Sequence, residues 1–71
     1  MPKLPVVSGR RMVAVATRLG FEFKRISGSH AVLRNKDRVL VIPLHRALKK
    51  GTLHQILRVL GITGSELAEL I

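Results

Sequence analysis

The chain has 71 residues, 46% of them hydrophobic, no cysteine, and 13 Lys+Arg against 4 Asp+Glu, a formal net charge of +9. That length holds one small domain, residues 1–71, with a real core; the absence of thiols removes a disulfide framework and every zinc site built on thiolates. Charge of this density points to a polyanionic partner: nucleic acid first, an acidic protein second, an anionic membrane third.

Residues 1–7 read as an extended lead-in, because Pro2 and Pro5 bias the residues before them away from helix. Ser8 is suited to cap a helix over 9–19, with Met12, Val13, Ala16 and Leu19 at helical spacing and Gly20 ending it. Three short strands follow. Phe21–Ile26 alternates Phe21 and Phe23 with Glu22 and Lys24, the pattern of a half-buried strand. Ser27-Gly28-Ser29 is a turn, His30–Arg34 the second strand, Asn35 to Arg38 the second turn, and Val39–Pro43 a third strand apolar on both faces. Connections this short force an antiparallel meander.

Residues 44–51 form a basic loop. Thr52 is expected to cap a second helix with Leu53, Ile56, Leu57 and Leu60 on one face, ended by Gly61. Thr63 and Glu66 have capping-box spacing and start a short C-terminal helix. The order helix, three strands, helix is an α+β two-layer sandwich with both helices on one face of a three-stranded antiparallel sheet, the order of double-stranded RNA-binding domains. The third strand then keeps one apolar face that no helix covers and that a partner chain could cover.

Glu22, Asp37, Glu66 and Glu69 are the only carboxylates, too few and too scattered to hold the ions of a two-metal nuclease. Phe21 and Phe23 are the only aromatics, fewer than a base-stacking sheet uses. The longest apolar runs fall far short of a membrane span and the first residues do not read as a signal peptide, so no membrane partner is expected and the setting is cytoplasmic.

His30 leaves a tight turn and enters a strand, a position that holds a side chain firmly. An imidazole is suited to take a proton from one oxygen and pass it to another. A lone His in a basic context suits RNA, which brings its own nucleophile in the 2′-hydroxyl. The alternative is an ordinary half-buried His at a strand start. Lys49 and Lys50, followed by Thr52, place two cations at a helix start where backbone N–H groups favour anions; the alternative is a solvated loop. Arg25 and Arg34 flank the His30 turn, and with so few acids to pair them the basic residues form a polyanion-binding face. His45, just beyond Pro43, is a possible auxiliary to His30 or a loop His bonded to backbone. Two histidines without carboxylate or thiolate support make a weak metal site, so no metal and no cofactor are expected.

Leu4-Pro5-Val6-Val7-Ser8-Gly9, Leu19-Gly20-Phe21, Gly28-Ser29-His30, Pro43-Leu44-His45, Lys49-Lys50-Gly51-Thr52-Leu53 and Gly61-Ile62-Thr63, in this order, resemble the HicA toxin family (YcfA-like). The resemblance implies the mRNA interferase of a type II toxin–antitoxin pair, with the fold of a double-stranded RNA-binding domain. It implies that His30 is the catalytic histidine, within the Gly-Ser-His motif, and that the partner is a HicB-type antitoxin. Ala31 departs from the family, which often carries an aromatic or a second His there. Combining residues and resemblance, His30 is the general base or proton shuttle, and Ser29, Arg25, Arg34, Lys49, Lys50 and Thr52 serve the phosphate. The rival readings are a non-catalytic RNA-binding module of the same fold and an interaction protein matched to an acidic partner.

Overall fold

The computed structural model describes residues 4–71. Of the expected lead-in, residues 1–3 lie outside the described residues, and 4–7 carry no regular structure. Ser8 caps α1 (Gly9–Arg18), its hydroxyl accepting the Arg11 N–H at 3.1 Å. Gly20, with φ +99°, closes this helix: its N–H bonds the Thr17 carbonyl, and the Phe21 N–H bonds the Ala16 carbonyl. The buried stripe of α1 is Gly9, Met12, Val15 and Ala16, so Val15 takes the central place expected of Val13.

The strands are β1 (Glu22–Ser27), β2 (His30–Asn35) and β3 (Arg38–Pro43), antiparallel in the order β1-β2-β3. Both hairpins turn on two residues. Gly28 (φ +61°) and Lys36 (φ +57°) supply the left-handed backbone such short loops need. β1 departs from the expected half-buried strand in two ways. All six of its residues are exposed, and the burial expected of the segment falls on Phe21, just before it. A bulge at Lys24 also breaks the alternation, since Phe23 pairs with Leu33 but Arg25 pairs with Val32. β1 is an edge strand of the sheet.

α2 (Lys50–Leu60) begins earlier than the sequence suggests. Its N-cap is Lys49, in extended backbone and with no side-chain cap bond, so Thr52 lies inside the first turn and does not cap it. The left-handed Gly61 ends α2 as expected. Thr63 caps α3 (Gly64–Leu70) in a complete capping box with Glu66.

One core lies between the helices and the sheet. Met12, Leu33, Ile42, Leu53 and Leu67 are its largest fully buried side chains, each worth about 1.5–3 kcal/mol of burial. Directly paired residues share a face, so Ala31 with Ile42 and Leu33 with Leu40 face the helices. Val32 with Val41 and Arg34 with Val39 point to the opposite, open face. Val39 and Val41 are 55% and 47% exposed there, as expected of a strand apolar on both sides with helices on only one. This is the α+β architecture of double-stranded RNA-binding domains. Among the described residues, no helix is long and apolar enough to cross a membrane.

Candidate nucleic-acid interface

Two tight connections bring His30 to one end of the molecule. It is the first residue of β2, paired with Ser27 across one hairpin and with Pro43 on the other side. The Leu44 N–H donates to the Ser29 carbonyl at 2.8 Å, so the chain leaving β3 is fastened to the turn before His30. The His30 side chain is exposed, not half-buried, and has no hydrogen-bond partner among the described residues. Among the described residues, both long helices pack on the other face of the sheet from His30.

The start of α1 is locked to the same end. The Gly9 N–H donates to the His45 carbonyl at 2.8 Å, and the Leu48 N–H donates to the Val7 carbonyl at 2.9 Å. The loop 44–49 is therefore held by backbone at both of its shoulders. It delivers Lys49 and Lys50 to the N-terminus of α2, where the first N–H groups of the helix have no intrahelical partner. His45 contributes its carbonyl to this lock. Its own side chain is exposed and has no hydrogen bond among the described residues.

The remaining candidates divide. Arg25 lies on the face of His30, two register positions from the Ser27–His30 pair. Arg34 shares that face but lies four residues along β2, about 13 Å from His30 at 3.3 Å per residue. The sequence sets Arg25 and Arg34 on either side of the turn. In the fold only Arg25 is near it, and the Arg34 guanidinium donates to the Lys36 carbonyl at 2.7 Å in the far hairpin. Thr52, in the first turn of α2, is half-buried and lines a groove with Val39, Val41, Gln55 and Val59. Arg10 and Arg11, in the first turn of α1, join the His30 end because Gly9 is pinned to His45. Spacing gave no sign of this, since 19 or more residues separate them from His30; only the backbone contact brings them together.

The charge of this end is unopposed. Among the described residues, the single ion pair is Lys24 with Glu22 at 2.9 Å, out on β1, and no charged side chain is buried. Among the same residues, no three His, Asp or Glu side chains converge in a way that would hold a metal ion. This end offers cations to a phosphate chain, together with the exposed imidazoles of His30 and His45. A family model described as HicA toxin of bacterial toxin–antitoxin matches residues 9–62 of the chain. A comparison with curated proteins finds no match.

Proposed function

The chain belongs to the HicA toxin family of bacterial toxin–antitoxin systems, and from that premise we propose that it is a metal-independent endoribonuclease that cleaves mRNA at His30 and is neutralised by a HicB-type antitoxin. The observation that carries this reading is the position of His30. It stands exposed at the start of β2, between two backbone-fastened turns, on the end of the molecule that gathers Arg10, Arg11, Arg25, Lys49 and Lys50.

Neutral His30 takes the proton of a 2′-hydroxyl. The 2′-oxygen attacks the adjacent phosphorus, the bond from phosphorus to the 5′-oxygen breaks, and the imidazolium returns its proton to that departing oxygen. The products are a 2′,3′-cyclic phosphate and a 5′-hydroxyl. Arg25 and the Lys49/Lys50 helix start stabilise the charge that builds on the phosphoryl oxygens. Arg34, one strand length away, contacts a more distant phosphate of the same chain.

The test is incubation of the purified protein with a long single-stranded RNA in EDTA, beside His30→Ala. Cleavage by the wild type alone, leaving cyclic-phosphate ends, is expected. Cleavage that leaves 5′-phosphate ends rules out this route. Binding by both proteins without cleavage favours the non-catalytic RNA-binding module.

A further inference from the structure

The open face at the His30 end carries a second imidazole. His30 is paired with Pro43, so the two share that face. The ladder runs one step past β3, where the Leu44 N–H donates to the Ser29 carbonyl at 2.8 Å. Leu44 itself turns to the other face, where it lines a cleft with Ala31 and Phe23, both set on the helix side by their pairing. The backbone groups show the same alternation. The Pro43 carbonyl faces Gly9 at the free edge of β3, the Leu44 N–H faces β2, and the His45 carbonyl again faces Gly9, accepting its N–H at 2.8 Å. A chain that alternates in this way returns the His45 side chain to the face of His30.

His45 is then the diagonal neighbour of His30, two positions beyond its partner Pro43, a placement that sets the two Cα atoms roughly 7–8 Å apart. Both imidazoles are exposed, and neither makes a hydrogen bond among the described residues. Among the same residues the fold uses His45 through its carbonyl, not its ring. We propose that His45 is the general acid of the cleavage reaction: His30 takes the proton of the 2′-hydroxyl, and protonated His45 gives one to the departing 5′-oxygen. The proposal rests on the RNA-cleavage reading above and replaces its single shuttle with two groups.

The displacement itself favours two groups. The attacking and departing oxygens stand on opposite sides of the phosphorus, and a general acid or base must come within about 2.6–3.2 Å of its own oxygen. One ring fixed at a strand start does not reach both oxygens without moving, whereas two rings a diagonal apart bracket a phosphoryl group. The arginines of this end cannot take the role, because a guanidinium does not give up its proton. The protons balance. The bond from the 2′-oxygen to phosphorus forms as the bond to the 5′-oxygen breaks, His30 ends protonated and His45 neutral, and exchange with water restores both.

A short RNA spanning a cleavage position mapped with the unsubstituted protein is made in two versions, one natural and one with sulfur in place of the 5′-oxygen at that phosphate. A thiolate departs without a proton. In EDTA, His45→Ala is expected to slow cleavage of the natural RNA by about 10²-fold or more and of the sulfur version by less than about threefold, while His30→Ala slows both by about 10²-fold or more. His45→Gln, which keeps a polar side chain, is expected to match His45→Ala. Denaturant unfolding of both His45 variants is expected to be unchanged, because the carbonyl that bonds Gly9 is retained. Equal slowing of the two RNAs by the His45 variants overturns the general acid and makes His45 a phosphate-binding or positioning residue. Undiminished cleavage of the natural RNA overturns it too, and leaves both proton transfers with His30. Failure of the unsubstituted chain to cleave any RNA removes the cleavage reading, and the general acid with it.

Discussion

Gly9 lies against Pro43 so closely that a Cβ on Gly9 would overlap the Pro43 carbonyl oxygen and press on the Leu44 Cα at 2.9 Å. This contact seats the first turn of α1 on the exit of β3, and the hydrogen bond from the Gly9 N–H to the His45 carbonyl is made through it. The end of the molecule that carries His30 depends on that approach.

Gly9→Ala is therefore expected to cost about 2 kcal/mol or more, because backbone must move and a hydrogen bond is strained. Gly51→Ala is the control. Gly51 is inside α2 with nothing within 4 Å of the added methyl, and the substitution is expected to stabilise by up to about 1 kcal/mol. Chemical denaturation of the two variants measures both; equal effects would mean that the α1–β3 contact is not close.

His30→Ala is expected to lower RNA cleavage by about 10²-fold or more. Its side chain is exposed and has no hydrogen-bond partner among the described residues, so unfolding free energy should stay within about 0.5 kcal/mol of wild type. Measuring both on one preparation separates chemistry from stability. A large loss of stability would make His30 a structural residue.

The salt dependence of RNA binding tests where the phosphates lie. Removing one phosphate contact to a single strand lowers the slope of log K against log salt by about 0.7. Lys49→Gln and Lys50→Gln are each expected to show such a drop. Arg58→Gln, near the other end of α2 on its exposed face, is expected to leave the slope unchanged. Equal drops at all three would point to diffuse attraction by the net charge.

The two threonines at helix starts should behave differently. Thr63→Ala removes the capping box of α3 and is expected to cost about 1 kcal/mol. Thr52→Ala removes no cap, since Lys49 holds that position, and is expected to stay within about 0.5 kcal/mol. Thermal or denaturant unfolding distinguishes this from the reverse order, which would return the cap of α2 to Thr52.

Much of this architecture is local and therefore legible in the residues themselves. Ser8, Gly20, Gly61 and Thr63 punctuate the helices where they do because capping and left-handed backbone involve only a few neighbouring residues. Gly28 with Ser29 fixes the first hairpin for the same reason, and this alone sets His30 at a strand start. Net charge needs no fold to be read at all. Thr52 was less legible, because threonine before an apolar stripe has the composition of a cap whether or not the helix has already begun.

Position across the sheet was decided only by tertiary structure. The bulge at Lys24 turns β1 out of simple alternation and leaves Phe23 at the flank of α1, although Phe21 and Phe23 look equivalent in the sequence. Arg25 and Arg34 sit at similar distances from His30 along the chain; pairing keeps Arg25 two register positions away and carries Arg34 to the far hairpin. Arg10 and Arg11 reach the His30 end only because Gly9 allows two backbones to touch. Caps, turns and charge are properties of short stretches, whereas the meeting of the α1 start with the end that carries His30 depends on strand register and on a contact between residues 36 positions apart, Gly9 and His45.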